Sequence, residues 1–183
     1  SFIWWRKSWQ NGFVIVNVDR KYLEINSIKE LNHSQKPNNS CKLILLDPPD
    51  FQLNRFFYKQ IGKNHKWIDR LQWNDQKWIN YVESPNTKTF ILKDNDELVG
   101  YFEQIFHFNQ KNCEIAYFGI MKEFYGKKYG GYLLTEAIEK SFIIGVEKIW
   151  LHTCSLDHEH SLKNYISRGM KIYKTESINL NIN

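Results

Sequence analysis

NCEIAYFGIMKEFYGKKYGGYLL, residues 112–134, decides the reading of this chain. Its first part, Cys113–Met121, is β-rich and almost continuously apolar, the pattern of a buried strand. A basic, glycine-bearing turn follows, Gly126-Lys127-Lys128-Tyr129-Gly130-Gly131. Leu133, Leu134, Ala137, Ile138 and Phe142 then recur at helical spacing, and Gly145 stands where a helix C-cap belongs. A strand, a glycine turn and a helix start in this order gather free backbone N–H groups and the positive end of a helix dipole at one point. That point suits a pyrophosphate. The flanking strand and helix favour a phosphate cradle over a plain tight turn.

Two common phosphate signatures are missing. GxxxxGK[ST] does not occur, and no GxGxxG heads a repeated βαβ series. The stretch instead resembles motif A of the GNAT (Gcn5-related N-acetyltransferase) superfamily, commonly written [QR]xxGx[GA]. Tyr125-Gly126-Lys127-Lys128-Tyr129-Gly130 takes that frame. Tyr125 stands at the Gln/Arg position, Lys128 at the first glycine and Gly130 at the second. Lys128 keeps its backbone donor where its φ is negative, and its ammonium adds attraction for a pyrophosphate. Glu114-Ile115-Ala116-Tyr117-Phe118-Gly119-Ile120 resembles the fourth strand of the family, with Glu114 where a catalytic Glu often lies. Ser161–Met170, SLKNYISRGM, is similar to the AxxxYxxxGF ending of the family. Tyr165 falls on the tyrosine that often protonates the departing CoA thiolate, and His158 on a frequent Asn seven residues earlier. WLHTCSLDH, residues 150–158, resembles a bacterial subgroup. The resemblance runs in order over about residues 43–176.

The resemblance implies an α+β fold: a mixed, mostly antiparallel sheet flanked by helices, with strands four and five splayed to hold acetyl-CoA. It implies an acetyl-CoA-dependent N-acetyltransferase, direct attack by a primary amine and no acyl-enzyme. Backbone groups of Phe118, Gly119, Ile120 and Met121 would meet the pantetheine arm. Gly126, Lys127, Lys128, Tyr129, Gly130 and Gly131 would cradle the pyrophosphate, with His158 beside them. The chemistry needs a base for the amine proton, fixed N–H donors for the thioester oxygen, and an acid for the thiolate. Glu114 is the candidate base and Tyr165 the candidate acid. Strand parity puts Glu114 with Ala116, Phe118 and Ile120, an apolar setting that would raise its pKa. Glu103, in Tyr101-Phe102-Glu103, is the second candidate. Competing readings are an ordinary solvent-face carboxylate for Glu114 and a packing role for Tyr165.

Trp67, Asp69, Arg70, Trp73, Asp75 and Trp78 lie between the first two helices, where the family commonly builds its acceptor wall. Trp73 and Trp78 read as wedges between helices, with Asp69 and Asp75 available as caps. Trp67 and Asp69, with Glu103 and His152, are the acceptor candidates, since aromatic rings and carboxylates suit a cationic amine. His152, Cys154, Asp157, His158 and His160 carry zinc-type donors, but no second knuckle pairs with them, so no metal is expected. Asp157 reads as the cap of the last helix and His152 as a further proton relay.

The chain has 183 residues, 42% hydrophobic and 25% charged, which fits one compact unit with a real core. Residues 1–42 read as a strand-and-loop extension packed on a domain of residues 43–183. Strands are expected at Phe13–Val18, Tyr22–Asn26, Leu43–Leu46, Thr87–Leu92, Leu98–Phe108, Cys113–Met121, Lys148–Thr153 and Met170–Leu180. Helices are expected at Phe51–Ile61, ended by Gly62, at Asn74–Val82, after Gly131, and at His158–Ser167. Residues 32–40, NHSQKPNNS, read as the flexible point. Net charge is +5, which suits a polyanion such as CoA. The absence of a zinc-finger spacing, an RNP-like string or a long basic run argues against nucleic acid as partner. Cys41, Cys113 and Cys154 form no even framework, which points to reduced thiols and a cytoplasmic protein. No run of membrane-spanning length occurs, and SFIWWRKSW at the start has neither a signal-peptide core nor an initiator Met. The expected partner is a small-molecule or peptide amine; monomer and homodimer both stay open. A CoA-binding regulatory module without turnover, or a basic nucleic-acid-binding domain, are the alternative functions.

Overall fold

The computed structural model describes residues 7–10 and 13–181, so the aromatic, basic opening at residues 1–6 lies outside the described residues. The elements run β1 (Lys7–Gln10), β2 (Phe13–Ile25), β3 (Cys41–Leu45), α1 (Phe51–His65), α2 (Asp75–Val82), β4 (Thr87–Asp94), β5 (Glu97–His107), β6 (Asn112–Ile120), α3 (Tyr129–Ile143), β7 (Lys148–Cys154), α4 (Glu159–Ser167) and β8 (Lys171–Asn181). All eight strands join one sheet, which is antiparallel except where β6 meets β7. The α+β class with a mixed, mostly antiparallel sheet and flanking helices is the expected one.

The helices close both faces for different reasons. On one face, Leu133, Leu134, Ala137 and Ile138 of α3 are fully buried against Phe102, Phe106, Cys113 and Ile149. Each of the leucine, isoleucine and phenylalanine side chains contributes roughly 1.5–3 kcal/mol by leaving water. α4 adds Tyr165 to the same cluster. On the other face, Phe57 and Ile61 of α1 pack on Ile91 and Tyr101. Trp78 of α2 is 1% exposed and stacks edge-on with Tyr58 and Trp73, the wedge expected of it.

Several boundaries differ from the sequence reading. β2 is one continuous strand rather than two. It also lies inside the sheet, pairing β7 through Arg20–Ile25 and β8 through Ile15–Glu24. Residues 1–42, read as an extension packed on the domain, thus supply an interior strand. Alternating Leu23 and Ile25 are fully buried, which is why the strand belongs there. α1 runs past Gly62 and stops at Lys66, in the left-handed region at φ 57. Gly62 serves close packing instead: a Cβ there would stand 3.0 Å from the Cβ of Trp67. The loop at residues 32–40 is pinned rather than loose. Asn32 N–H donates to Arg168 C=O at 2.9 Å, Ser34 N–H to Thr135 Oγ1 at 3.0 Å, and Asn38 Nδ2 to Asp94 at 2.7 Å.

Two sheet features shape the site. β6 and β7 pair only over Asn112–Glu114 and Lys148–Trp150, so beyond Glu114 the two strands part. β6 also carries a bulge: Glu103 faces Tyr117 while Gln104 faces Ile115, leaving Ala116 as the extra residue. The bulge reverses parity along β6. Phe118 and Ile120 join Ile115 on the α3 face, whereas Tyr117 turns to the α1 face.

Candidate active site

The glycine turn builds the wider of two cavities. Lys128 is the N-cap of α3 at φ 69, ψ 10, and its side chain makes no capping bond. The expectation of a negative φ at Lys128 is therefore corrected: a lysine holds a left-handed position that normally takes glycine. The first-turn amides of α3 are left without a side-chain cap, at the positive end of the helix. A cavity of ≈ 520 Å³ opens on this turn. It is bounded by Phe118, Gly119 and Ile120 of β6, by Gly126, Lys128, Tyr129 and Gly130, and by His158, His160, Ser161 and Asn164 of the last helix. Asn164 Nδ2 donates to Gly130 C=O at 3.0 Å, tying α4 to the first turn of α3.

Two neighbouring glycines divide the labour. A Cβ on Gly130 would meet nothing nearer than Asn164 Nδ2 at 3.5 Å, so the fold does not require glycine there. Its absence of side chain keeps the cavity mouth clear. A Cβ on Gly131 would sit 2.5 Å from Arg168 Nη1 and 2.8 Å from Ser34 Oγ, so this glycine serves packing.

The splay makes a second, smaller cavity of ≈ 70 Å³. Trp67 and Asp69, Ala116 and Tyr117, His152, Asp157 and Tyr165 line it. The cavities share His65 and Phe118, so they meet at one point in the wedge between β6 and β7. Beyond Glu114, β6 presents an edge with no β7 partner along this wedge.

Asp157 lines the smaller cavity. It does not cap α4; His158 does, its Nδ1 accepting from His160 N–H at 3.3 Å. The Asp157 carboxylate accepts instead from the Thr153 hydroxyl, from Cys154 N–H at 3.1 Å and from Trp67 Nε1–H at 3.2 Å. Burial lifts its carboxyl above the ordinary aspartate range, against the pull of these donors. Burial pushes the neighbouring His65 down to about 4, helped by His158. Its Nδ1 accepts from His158 N–H at 3.3 Å, which places the proton of the neutral ring on Nε2. Burial and the charge of Asp157 raise the Tyr165 hydroxyl well above the usual phenol range. Its ring meets Phe118 edge-on at 6.1 Å. His152 has an open ring edge, yet the protein around it partly desolvates it and, with Arg20, lowers its pKa.

Other candidates stand elsewhere. Glu114 lines neither cavity; its Oε1 lies 3.3 Å from His107 Nε2, and its side chain is 19% exposed. The bulge at Ala116 takes away the apolar face assigned to it by parity. Glu103 is fully buried under the α1–α2 connection. It pairs with Arg70 at 2.9 Å, and accepts from Tyr81 Oη at 2.7 Å and Asn54 Nδ2 at 2.8 Å. Rings of Tyr58, Trp73, Trp78, Tyr81 and Tyr117 surround that Arg70 guanidinium at 4.1–5.8 Å. This knot fixes the loop that carries Trp67 and Asp69. Met121, Lys127 and Gly131 bound neither cavity. Asp75 does not cap α2: it pairs with Arg55 at 2.6 Å, and the N-cap is Asn74.

The sequence reading missed His65, Phe124, His160, Ser161 and Asn164 in the larger cavity. His158, Ser161 and Asn164 recur every three residues, a one-face signal that was visible. Nothing local marks His65 or Asp157. The larger cavity fits an extended, anionic ligand: uncapped helix amides stand at one end, a free strand edge along one side, and the Tyr125 hydroxyl is buried without a partner among the described residues.

The family model described as the acetyltransferase (GNAT) family matches residues 51–170. No curated protein matches. Among solved structures, a GCN5-related N-acetyltransferase from Sphaerobacter thermophilus is similar at TM-score 0.68 and 14% identity, over 97% of this chain and 53% of that one. Another from Kribbella flavida gives TM-score 0.63 and 13% identity, over 91% and 59%. This chain thus spans less than two thirds of the length of either molecule. An aminoglycoside acetyltransferase from an uncultured soil metagenomic sample gives TM-score 0.61 and 14% identity, over 73% of this chain and 90% of that one. At these identities the likeness is one of fold.

Proposed function

The chain belongs to the acetyltransferase (GNAT) family, and we propose that it transfers an acetyl group from acetyl-CoA to a primary amine. The observation that carries the reading is the junction of the two cavities at the splay. A cleft with helix amides at one end reaches a small chamber holding a tyrosine, a carboxylate and neutral imidazoles. The bound cosubstrate would supply an activated thioester. The amides of Tyr129 and Gly130, with the Lys128 ammonium, would hold its pyrophosphate. The free edge of β6 at Phe118–Ile120 would offer hydrogen bonds to the pantetheine arm, and His158 and Asn164 would close the far wall. Tyr165 would return a proton to the leaving sulfur.

The acceptor would enter from the opposite side, past Trp67, Asp69 and His152. Asp69 accepts from the Tyr117 hydroxyl at 3.3 Å, which orients a carboxylate at the rim. An amino sugar is the more specific form of this reading, supported by the carboxylate and rings at the entry and by the named substrate class of the aminoglycoside acetyltransferase. The catalytic unit would comprise residues 43–183 together with β2. The three free cysteines support a reducing, cytoplasmic setting. Among the described residues no helix is long and apolar enough to cross a membrane.

Calorimetric titration with acetyl-CoA and CoA tests the reading, with Gly130→Asp as the control. Binding in the micromolar range is expected for the unaltered protein. The substitution puts a carboxylate in the cradle and should weaken binding by about 100-fold or more without a fold change, since the site has room for a Cβ. Failure of the unaltered protein to bind either ligand would sink the proposal.

A further inference from the structure

We infer that Asp157 is the proton acceptor of the transfer, in place of the glutamates on the central strands. The inference rests on the acyltransferase reading above. Among the residues lining the two cavities the carboxylates are Asp69 and Asp157. Asp69 is exposed at the rim, where water competes for any proton. The Asp157 side chain is 15% exposed and lines the acceptor chamber, 3.9 Å from His65, a residue that both cavities share.

Its geometry suits a base. Three donors hold the carboxylate: Thr153 and Cys154 N–H on one oxygen, Trp67 Nε1–H on the other. A carboxylate has about four acceptor sites, so it retains capacity for an incoming N–H. No lysine or arginine pairs with it among the described residues; its charged-partner position is taken by His65, 3.9 Å away and neutral at pH 7. A structural aspartate is normally neutralised by a cation or placed at a helix start. Asp157 has no such cation, and although it precedes the N-cap of α4, its carboxylate accepts from β7 and Trp67 rather than from the helix amides. Its raised pKa agrees with the geometry.

The step balances as follows. Asp157 takes a proton from the neutral amine as the nitrogen–carbon bond forms and the carbon–sulfur bond breaks. Tyr165 gives its hydroxyl proton to the sulfur. Solvent then carries the proton from Asp157 back to Tyr165, so the net products are an amide and a thiol.

Around Asp157 the cavity wall carries the side chains of Arg20 of β2 and Lys66 after α1, and Asp69 is at the rim. Burial holds Tyr117, Cys154 and Tyr165 protonated. His65 and His152 are the competitors for an acid limb in the rate.

The test uses Asp157→Asn, Thr153→Val and His152→Gln in the full chain, with hydroxylamine as the small amine, its uncatalysed reaction with the thioester subtracted and its free base held saturating at every pH. Three readouts apply: CoA affinity by calorimetry, thiol release from acetyl-CoA against pH, and carboxyl-carbon NMR titration of labelled aspartate. Asp157→Asn should bind CoA within about two-fold of the unaltered protein and lose about 10²–10³-fold in thiol release, together with the acid limb. The limb should survive in His152→Gln, whatever its rate. Thr153→Val, which keeps the branched shape and removes the hydroxyl, should move the limb to higher pH, because the carboxylate loses a donor. The Asp157 resonance should titrate above the ordinary aspartate value. A limb kept in Asp157→Asn, a rate within about three-fold, or an ordinary titration of Asp157 overturns the inference, as does an unaltered protein that binds CoA without releasing thiol. An unaltered protein that binds no CoA defeats the underlying reading instead.

Discussion

The two cavities are built in opposite ways. The larger one draws mainly on one run of chain, β6, the glycine turn and the start of α3, closed by one face of α4 and by His65. The smaller gathers Arg20 from β2, Trp67 from beyond α1, Tyr117 from β6, Asp157 from beyond β7 and Tyr165 from α4. Backbone does the recognising in the first, where N–H groups and a missing Cβ define the surface. Side chains do it in the second, and each must be aimed by something outside the cavity. A backbone cradle therefore tolerates substitution of most side chains, whereas a chamber of aimed side chains depends on its supports.

The hardest way to break this contrast is to remove a support. Glu103→Ala leaves the Arg70 guanidinium buried without its partner, and such losses cost about 3–5 kcal/mol. Denaturant titration should show that fall. Where the variant still folds, CoA affinity should stay near that of the unaltered protein while thiol release drops, because Trp67 and Asp69 lose their anchor. Equal loss of both functions would mean that the two cavities share one scaffold.

Acid probes the point where they meet. His65 is 6% exposed and its folded pKa is about 4, against an ordinary value near 6.5. Above about 6.5 both folded and unfolded forms are neutral, and the stability is fully present. As pH falls from there toward 4, the unfolded chain binds a proton that the folded one refuses, so stability declines by up to about 3 kcal/mol. Stability against pH for His65→Gln should lack that part of the slope; an unchanged slope would show that other groups carry it.

The smallest expected effect is the most discriminating. Lys128→Gly relieves a left-handed lysine and should add about 0.5–1 kcal/mol of stability. It also removes an ammonium from the cradle, so CoA affinity should fall a few-fold. Melting and calorimetry on the same variant check the opposed signs. A gain in both would mean that the lysine serves neither cavity nor fold.

The same division explains what the sequence disclosed. Gly130, the α3 start and the Tyr165 helix were legible, because each rests on spacing within one segment. Membership of the fold followed from their order. Glu114 was placed on an apolar face by simple alternation, and the extra residue at Ala116 undid that alternation. A bulge is set by the partner strand, so it leaves no mark in a run as apolar as Ile115–Ile120. Glu103 offered an acidic residue on a promising strand, but only the packed helices reveal that Arg70, Tyr81 and Asn54 consume it. Asp157 read as a cap from its place before a helix. Its real partners come from β7 and from the loop after α1, ninety residues away in the case of Trp67.

The placement of β2 bears on how the chain acquires its shape. β2 precedes β3 to β6 in the chain, yet two of its three partners, β7 and β8, follow them, the third being β1. Ile15 pairs with Asn181, and Ile25 with Ile149. A ribosome must therefore release all the chain between them before this half of the sheet can zip, and until then β2 has only the short β1 beside it. Pairings of such long sequence separation slow folding and lengthen exposure to aggregation. The order of synthesis, rather than the final packing, thus sets how long β2 stays exposed.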